Sequence, residues 1–468
     1  MHTVTVHPRA AESLRTIAGP DAGRRYEENL AAARAVLQGR RVWHINSTSD
    51  GGGVAELLRS CLGYLVDDGI DTRWIVIDGD PQFFTITKRI HNRLHGVLGD
   101  GGPLGDAERR HYDEVIEANA TDIGRSVRAG DVVVVHDPQP LGLVPGLRSL
   151  GATVIWTCHI GADTASPLVR SAWDFLLPDA RAAQALTFTR AAYAWDGLER
   201  DRIHVLPPCI DHGSAKNVVI DPVRTFAILA AAGIISGPDG AADATFARSD
   251  GTQARVSHVA QMTPDTWLPP DVPLVLQVSR WDALKDPVGV IRGFVDEPGI
   301  TDAHLMLAGP MPGAVVDDPE AAIVLAEVRA LWERLPATHR GRVHLVNIPT
   351  DDPEENATIV NALQRHADVV VQKSLAEGFG LTVTEAMWKR RALVAGRVGG
   401  IRDQIEDGVS GILVDPRDLT AFGNAVEALL ADPSLAMGFG AAAERRVRER
   451  YLAPQYLGAY LRLFAELA

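Results

Sequence analysis

The residues whose types and spacing most clearly suggest chemistry are two glutamates, Glu377 and Glu385, which flank a glycine-containing turn. Residues 368–372 before them are largely apolar and β-branched, which predicts a strand covered on both faces of a parallel sheet. Residues from 384 onward predict a helix. Backbone N–H groups at such a strand-to-helix junction favour phosphate, and each carboxylate can accept hydrogen bonds from a pair of sugar hydroxyls. The pattern predicts a nucleotide-sugar site, although two solvated glutamates beside a helix start would give the same spacing.

Two cations follow another predicted strand, at residues 274–278. Arg280 offers a planar fork of donors and Lys285 a compact positive charge, so both suit a diphosphate. Negative charge accumulates on a diphosphate leaving group as a glycosidic bond breaks, and such cations stabilise it. Taken alone, the two residues could equally form surface ion pairs with neighbouring aspartates. Gly309, after the next predicted strand, is expected in a loop at the same site or in a plain turn.

Apolar strand-like runs alternate with helical periodicity along most of the chain, which predicts βαβ units, parallel sheets and the α/β class. Ligands of doubly wound sheets bind at the carboxyl ends of the strands, which is where the glutamates and cations lie. A Gly-, Ala-, Asp- and Pro-rich stretch up to about residue 273 predicts a hinge and an insertion near 221–271, with turns at 236–240 and 248–251. The predicted strands form two series: 42–46, 74–78, 132–136, 154–158, 186–188 and 204–206, then 274–278, 304–308, 343–347, 368–372, 393–395 and 412–414.

Composition limits the classes of function. At 468 residues the chain is too long for one compact core, so two domains are expected. A formal charge of −14 argues against a nucleic-acid partner, and phosphate binding must therefore be local. Three cysteines, Cys61, Cys158 and Cys209, are expected to be reduced packing residues. No apolar stretch approaches the roughly 20 residues that span a bilayer, so no membrane partner and a cytoplasmic location are expected.

Two further features lie in the first series of strands. A glycine-rich turn with Gly52 and Gly53 follows the strand at 42–46 and opens a helix with apolar residues at helical spacing. Glycines let a ligand approach the backbone closely, but a plain tight turn explains them as well, and the G-x-G-x-x-G pattern is absent. His159 ends the strand at 154–158, where a site residue of this sheet is expected, although a lone histidine is more often structural.

The glutamate pair together with Arg280 and Lys285 resembles the retaining glycosyltransferases of the two-domain GT-B architecture, a group that includes sucrose and glycogen synthases. The resemblance implies two Rossmann-like, doubly wound domains facing a central cleft. It implies that Glu377 contacts the donor sugar, that Glu385 holds the nucleotide ribose, and that His159 lies near the primary hydroxyl of the donor sugar. The donor-binding residues implied by the resemblance are Gly52, Gly53, Gly309, Gly380, Leu381, Thr382 and Glu385, and the catalytic residues are Arg280, Lys285, Glu377 and His159.

The first domain resembles a narrower group, the trehalose glycosyltransferring synthases. In residues 81–94 the apolar side chains of Ile86, Ile90 and Leu94 share one helix face, which leaves Lys88 and Asn92 free to point elsewhere. Such a polar face, aided by Asp137 at a strand end, would bind the acceptor sugar; a solvated helix face is the alternative. The segments that carry the resemblance are 42–56, 75–96, 136–140, 207–217 and 394–401, which together cover most of the chain from about residue 40.

The resemblance also implies a domain division. Residues 1–215 are expected to form an N-terminal Rossmann-like acceptor domain. Residues 216–445 are expected to form a C-terminal Rossmann-like nucleotide-sugar domain that carries the insertion near 221–271. Residues 446–468 are expected to form a C-terminal helix that packs back on the N-terminal domain. A homodimer is expected by analogy with the family.

The implied reaction is a reversible transfer of an α-glucosyl group, with retention, from NDP-glucose to glucose, giving α,α-trehalose and NDP. The partners are small-molecule sugars and a nucleotide sugar, and no cofactor is required. Asp78 and Asp80 spell the D-x-D of metal-dependent glycosyltransferases of another architecture. That interpretation is rejected, because the surrounding motifs resemble GT-B enzymes, in which arginine and lysine replace the metal. Mg²⁺ on the diphosphate remains compatible with the pattern, without a dedicated protein site.

Three alternatives stay open. A retaining trehalose phosphorylase would use inorganic phosphate in place of the nucleotide, although Glu385 suits a ribose diol. A related transferase would use another small acceptor, such as a sugar phosphate or a polyol. A regulatory protein would bind the nucleotide sugar without turning it over. The base, among UDP, ADP, GDP and TDP, is not fixed by the sequence.

Overall fold

The structure is a computed structural model that describes residues 1–49, 52–237, 243–312 and 320–468. Asp50 and Gly51 of the glycine-rich turn, and residues 238–240 of the turn predicted at 236–240, lie outside the described residues. The chain divides into two compact units. Unit 1 comprises residues 1–211 and 449–468, and unit 2 comprises residues 212–448.

Unit 1 is built on a sheet whose strands, among the described residues, run in the order β1-β3-β2-β4-β5-β6-β7. The edge strand β1 is antiparallel to β3 and the other neighbours are parallel. The chain passes from β2 to β3 on one side and then to β4 on the other, so the order reverses between β2 and β4. The strands are β1 (His2–Val4), β2 (Val42–Asn46), β3 (Thr72–Val76), β4 (Val132–His136), β5 (Thr153–Cys158), β6 (Ala185–Phe188) and β7 (Ile203–Val205).

Helices cover both faces of this sheet. Val133 and Val135 of β4 pack in a core with the helices at 81–94, 106–123 and 167–180. Val132 and Val134 of the same strand face the opposite core, with the helices at 20–36, 53–67 and 453–467. Burial on both faces explains why this strand carries four consecutive valines rather than valines that alternate with polar residues. The helices of unit 1 are α1 (Glu12–Ala18), α2 (Pro20–Val36), α3 (Gly53–Asp67), α4 (Pro81–Leu94), α5 (Asp106–Ile123), α6 (Val144–Ser149) and α7 (Pro167–Ala180).

Unit 2 contains a second, mostly parallel sheet with the order β10-β13-β12-β11-β14-β15-β16 in the described residues. Its order reverses between β11 and β14, because the chain moves outward through β12 and β13 before it crosses to β14. A short antiparallel hairpin, β8 with β9, stands apart from the sheet. The strands are β8 (Thr245–Ala247), β9 (Gln253–Arg255), β10 (Gln261–Thr263), β11 (Leu274–Val278), β12 (His304–Pro310), β13 (Val343–Ile348), β14 (Val369–Gln372), β15 (Ala392–Gly396) and β16 (Ile412–Val414).

The remaining helices follow in unit 2 and at the end of the chain, and several of them begin at an aspartate side-chain cap. Asp286, Asp352 and Asp418 each accept hydrogen bonds from backbone N–H groups at the first turn of the helix that follows. No helix of the described chain is long and apolar enough to cross a membrane. These helices are α8 (Pro222–Ala231), α9 (Pro287–Val295), α10 (Ala321–Arg334), α11 (Ala337–Arg340), α12 (Pro353–His366), α13 (Leu381–Trp388), α14 (Ile401–Gln404), α15 (Leu419–Ala431), α16 (Pro433–Arg450) and α17 (Ala453–Leu467).

The segment 221–271 contains more packed structure than its composition suggests. Helix α8 contacts α12, with Ile228 and Leu229 fully buried, and β10 adds an antiparallel edge to the main sheet through β13. The turn at 248–251 joins β8 to β9. Strands β1, β8, β9 and β10 were not predicted, because each is a short mixture of polar and apolar residues with neither an apolar run nor a period.

The last helix, α17, belongs to unit 1. It packs against α2, and the Asn29 side chain donates a hydrogen bond of 3.0 Å to the Gly458 carbonyl. The Tyr460 hydroxyl lies 2.8 Å from the Thr157 hydroxyl on β5. The chain therefore returns to its first unit after completing the second. The cysteines Cys61, Cys158 and Cys209 are all buried and free.

Candidate functional site

The predicted catalytic residues of unit 2 lie where its strand order reverses. Strand β11 is followed by Arg280 and Lys285, and the neighbouring strand β14 is followed by Glu377. In open α/β sheets, ligands bind outside the carboxyl ends of the strands at such a reversal. Two loops that are far apart in sequence thus become adjacent because β11 and β14 are paired.

Lys285 and Glu377 form a direct ion pair between the Nζ atom and Oε2. Ser374 also donates its hydroxyl to Glu377 Oε2 at 3.3 Å. Both charged side chains are largely buried, with 18% of Lys285 and 12% of Glu377 exposed. A pair in such a position is screened less by solvent than a surface pair. Arg280, on the same loop as Lys285, forms the alternative ion pair considered from sequence, with Asp282 at 3.1 Å.

The backbone that carries Lys285 is fixed from several sides. Residues Ala283–Lys285 form a short 3₁₀ turn, whose start is capped by Asp282 accepting from the Leu284 N–H at 2.8 Å. The Gln277 side chain donates to the Lys285 carbonyl at 3.0 Å. The Leu375 N–H donates to the Leu284 carbonyl at 2.8 Å, which ties the loop after β14 to the loop after β11. The two loops therefore form one connected structure.

A second lysine, missed by the sequence analysis, supports this loop. Lys373 is fully buried, and its Nζ donates to Asp286 Oδ2 and to the Pro416 carbonyl. Asp286 directly follows Lys285, has a positive φ of 49°, and caps α9 by accepting from the Gly289 N–H at 3.0 Å. The one available signal was a lysine at the end of an otherwise apolar strand, because a buried charge requires a partner.

The turn between the two glutamates ends in a helix N-terminus. Gly380 has a φ of +94°, which favours glycine, and an added Cβ would lie 3.3 Å from Glu377 Cγ. Leu381 and Thr382 are the first residues of α13, so their N–H groups lie in the first turn, where no intrahelical partner exists. The Thr382 hydroxyl donates to Gln372 Oε1 at 3.2 Å. A helix N-terminus therefore follows the turn between the two glutamates, and phosphate binding there stays a prediction.

Glu385 lies further along α13 and is almost completely buried, with 1% of its surface exposed. Its Oε1 atom lies 3.6 Å from the Nζ atom of Lys216. Lys389 donates to the Glu385 carbonyl at 3.2 Å and to Asn217 Oδ1 at 3.1 Å. The segment just before α8 thus contributes a charged partner to Glu385, which sequence reasoning did not identify because the two residues are far apart in the chain.

Gly309 lies within strand β12 rather than in a loop after it, so that expectation was wrong. A Cβ at this position would lie 2.6 Å from the Ser279 carbonyl oxygen and 3.0 Å from the Trp281 ring. The residue is therefore needed for close packing against the backbone just before Arg280.

In unit 1, the predicted loops also follow strands at the reversal of order. Gly52 has a φ of +81° and precedes α3, whose first residue is Gly53. Asp137 follows β4 with a φ of +62°, and its Oδ1 accepts from the His159 N–H at 2.8 Å. The structure therefore joins two predicted site residues, Asp137 and His159, at the ends of β4 and β5.

His159 is the end of a buried row of three histidines, and sequence reasoning identified only this member. His44 Nδ1 lies 3.0 Å from His136 Nε2, and His136 Nδ1 lies 3.4 Å from His159 Nε2. The three side chains belong to residues that are 4%, 1% and 9% exposed. We call His44, His136 and His159 the histidine row. The sequence signal was a histidine at or near the end of each of three buried strands.

Burial keeps the histidine row neutral. It lowers the pKa of His44 to about 3. Burial, with the neighbouring His44 and His159, lowers the pKa of His136 well below its usual value. Burial also lowers the pKa of His159, although the nearby Asp137 opposes this change. Burial raises the pKa of Asp137.

The stability of unit 1 is expected to fall in acid because of this burial. The unfolded chain binds a proton at His44 below its ordinary pKa of 6.5, whereas the folded chain does so only near pH 3. Stability is therefore lost as the pH falls from about 6.5, by about 1.4 kcal/mol per pH unit, or about 2–3 kcal/mol at pH 4.5 from His44 alone. Urea unfolding at pH 7 and 4.5 measures this loss. A His44→Leu variant is expected to lose less stability between these two pH values, and an equal loss would contradict the assignment.

Helix α4 carries the predicted acceptor residues. Ile86, Ile90 and Leu94 are buried together, as predicted. Asn92 is only 8% exposed and Lys88 is half-buried, so this part of the helix is not a solvated face. Among the described residues, no hydrogen bond or ion pair joins Lys88 or Asn92 to Asp137. The acceptor role of these residues remains a prediction.

The D-x-D aspartates have local partners. Asp80 caps α4 by accepting from the Phe83 N–H at 2.7 Å, and its carboxylate also lies 2.9 Å from His111 Nε2. Asp78 pairs with the N-terminal amine. In the described residues no group of three or more His, Cys, Asp or Glu side chains is arranged to hold a metal ion.

Comparison with known proteins matches both units to glycosyltransferase families. Residues 44–195 match the family described as trehalose synthase, N-terminal domain, and residues 265–446 match glycosyl transferases group 1. The chain is 36% identical to the trehalose synthase of Rubrobacter xylanophilus, over 92% of this chain and 91% of that protein. It is 33% identical to the trehalose synthase of Pyrococcus horikoshii, over 98% of this chain and 97% of that protein.

More distant proteins share parts of the sequence or only the fold. A trehalose phosphorylase of Pleurotus sajor-caju is 26% identical over 81% of this chain, which corresponds to 52% of that protein. The solved structure of a UDP-forming α,α-trehalose-phosphate synthase from Burkholderia xenovorans superposes with a TM-score of 0.66 at 15% identity, over 92% of this chain and 99% of the other. This likeness confirms the predicted GT-B fold with two Rossmann-like domains. The sequence matches to relatives over most of both chains show that this chain belongs to the trehalose synthase family of glycosyltransferases.

Proposed function

We propose that this glycosyltransferase moves an α-glucosyl group from an NDP-glucose to the anomeric hydroxyl of glucose, with retention, giving α,α-trehalose and NDP in a reversible reaction. The observation that carries the proposal is the ion pair of Lys285 and Glu377 at the reversal of strand order in unit 2, beside the N-terminus of α13. Cations, a carboxylate and unpaired N–H groups are the groups that a sugar diphosphate requires.

In this proposal unit 2 binds the donor. Arg280 and Lys285 stabilise the negative charge of the leaving diphosphate, and the N–H groups of Leu381 and Thr382 contribute to the same task. Glu377 orients the glucosyl group through its hydroxyls. Glu385 binds the ribose diol, and the neighbouring Lys216 places a positive charge beside its carboxylate.

The proposed step uses no covalent enzyme intermediate. The bond between C1 of the glucosyl group and the β-phosphate oxygen breaks, and C1 forms a bond to the acceptor oxygen on the same face. The acceptor hydroxyl gives its proton to the departing phosphate oxygen, so charge and atoms balance. His159 contacts the sugar, and Lys88, Asn92 and Asp137 are proposed to bind the acceptor. Mg²⁺ would act only as a counter-ion carried by the diphosphate, and the active form is proposed to be a homodimer.

A second function, phosphorolysis of trehalose, is favoured by the resemblance to proteins named trehalose phosphorylases. Inorganic phosphate would then take the place of the phosphate bonded to C1, and Arg280 and Lys285 would serve it equally well. Burial of Glu385 beside Lys216 favours the nucleotide, because a phosphorylase has no ribose diol to bind.

The test uses the purified full chain in the direction of trehalose cleavage. Trehalose is incubated separately with UDP, ADP, GDP, TDP and inorganic phosphate, and the release of free glucose is followed. Release that needs a nucleoside diphosphate is expected, and it also identifies the base. Release with phosphate alone would replace the proposal by the phosphorylase. No release with any of them would direct the search to another acceptor, such as a sugar phosphate or a polyol.

A further inference from the structure

The histidine row crosses three neighbouring strands of unit 1. His44 lies in β2, His136 is the last residue of β4, and His159 follows β5. The rings of His44 and His136 are stacked with centroids 5.3 Å apart, and those of His136 and His159 with centroids 5.7 Å apart. Nitrogen-to-nitrogen contacts join each pair, so the row is linked as well as stacked.

Only two arrangements of hydrogen atoms satisfy both contacts when the three rings are neutral. Each neutral imidazole has one N–H donor and one acceptor nitrogen. In the first arrangement His44 donates to His136 and His136 donates to His159, so that every ring carries its hydrogen on Nδ1. In the second the direction is reversed, and every ring carries its hydrogen on Nε2. The state of one end of the row therefore determines the state of the other.

The far end of the row distinguishes these arrangements. His44 Nε2 is buried and has no hydrogen-bond partner among the described residues. The ring centroid of Tyr460 lies 6.5 Å from that of His44, and the Tyr460 hydroxyl lies 2.8 Å from the Thr157 hydroxyl. The second arrangement would bury an N–H donor without an acceptor, whereas the first leaves only an unused lone pair. Orphaned buried N–H groups are rarer in proteins than under-satisfied acceptors.

We propose that the histidine row fixes His159 as the tautomer with hydrogen on Nδ1, so that this nitrogen donates a hydrogen bond to a sugar oxygen. His136 is then a positioning residue that acts through His159, and His44 continues the hydrogen-bonded row. The inference rests on the proposed function in taking His159 as a sugar-binding residue. No proton is transferred in this role, because the row supplies a fixed donor rather than a path.

The tautomer can be measured without any substrate. The full chain, labelled with ¹⁵N-histidine, is studied by long-range ¹H–¹⁵N correlation spectra at pH 7.5. Single variants His44→Gln, His136→Gln and His159→Gln assign the three rings among the 15 histidines of the chain. Three neutral rings protonated on Nδ1 are the expected result. Protonation on Nε2, or a charged ring at any of the three positions, would overturn the proposal.

The positioning role needs a separate readout. In a His136→Phe variant, His159 Nε2 loses its hydrogen-bond donor. The spectra are then expected to show a mixture of tautomers at His159, and kcat is expected to fall by about fivefold to tenfold, the value of one neutral hydrogen bond. The KM for the nucleotide should not change, because unit 2 binds it. A changed tautomer with unchanged kcat would remove His136 as a positioning residue.

Unit 2 offers a control in a second histidine pair, in which His344 is buried and His304 is half-buried. His304 Nδ1 lies 2.9 Å from His344 Nε2, and the rings are stacked near the amino ends of β12 and β13. A His344→Phe variant makes the same change in a similar setting and is expected to leave both the His159 spectrum and kcat unaltered. If the unmodified protein cleaves no trehalose with any nucleotide, the proposed reaction fails, while the spectra still decide the tautomer.

Discussion

Replacing Lys285 by alanine is expected to lower kcat for trehalose cleavage by about thirtyfold to a thousandfold. The expected loss of transition-state stabilisation is about 2–4 kcal/mol, the range found when one preorganised donor to a developing negative charge is removed. The structure supports this value because the lysine is only 18% exposed and its carbonyl accepts a hydrogen bond from the Gln277 side chain. The neighbouring Leu284 carbonyl accepts another from the Leu375 N–H. A charge held in place before the reaction needs little reorganisation during it.

Steady-state kinetics of the Lys285→Ala variant, with the nucleotide that supports cleavage, provides the measurement. Arg292→Ala is the matched control, since this cation is exposed on α9, a short distance along the same chain, and should leave kcat unaltered. A near-normal kcat for Lys285→Ala would exclude the lysine from the catalytic role. Because Lys285 and Glu377 are bonded, the double variant with Glu377→Gln is expected to lose less than the sum of the two single losses.

Replacing Asp286 by asparagine is expected to destabilise unit 2 by about 3–5 kcal/mol, the usual cost of breaking a buried ion pair by removing one partner. Lys373 would remain fully buried with only the Pro416 carbonyl as its acceptor. Asparagine tolerates the positive φ of 49° and can still cap α9, so the change tests the charge rather than the backbone.

Urea unfolding followed by tryptophan fluorescence and circular dichroism measures this effect. Asp352→Asn is the matched control, because Asp352 also caps a helix and pairs with an arginine, Arg248, that is 32% exposed. That control is expected to cost about 1 kcal/mol. The double variant Lys373→Met with Asp286→Asn should regain much of the loss, since no buried charge remains. A loss of less than 1 kcal/mol in Asp286→Asn would show that the ion pair contributes little to stability.

Lys285 and Asp286 lie in the same loop, between β11 and α9. Lys373 holds Asp286, and Asp286 directly follows Lys285, so the buried lysine supports the position of the lysine that is proposed to act on the diphosphate. A partial loss of kcat in Asp286→Asn, measured well below the urea midpoint, would be consistent with that connection. Stability and catalysis would then depend on the same few side chains, as is common where binding groups are held on rigid elements.

Much of the fold could be predicted because its signals are local. Strand β4 contains four consecutive buried valines. Burial on both faces of a parallel sheet requires such an apolar run, whichever strands lie beside it. The spacing of Glu377 and Glu385 around Gly380 likewise predicted the strand and the turn, whereas helix α13 begins at Leu381, three residues before the predicted start. The short edge strands β1 and β10 escaped prediction because their stability comes from pairing with β3 and β13 rather than from their own composition.

The sequence by itself determined the α/β class, two series of strands, and the residue types at the strand ends that suggest the proposed diphosphate and sugar site. Only the tertiary structure decided which of these residues meet. His44 and His136 are 92 residues apart, and Asp286 and Lys373 are 87 residues apart, yet each pair is in contact. The hydrophobic pattern of a strand or helix depends on which of its faces are buried, so the local sequence is enough to predict the element. Contacts between strands depend on the order in which strands pair, and that order follows from packing of the whole sheet, which no local pattern specifies.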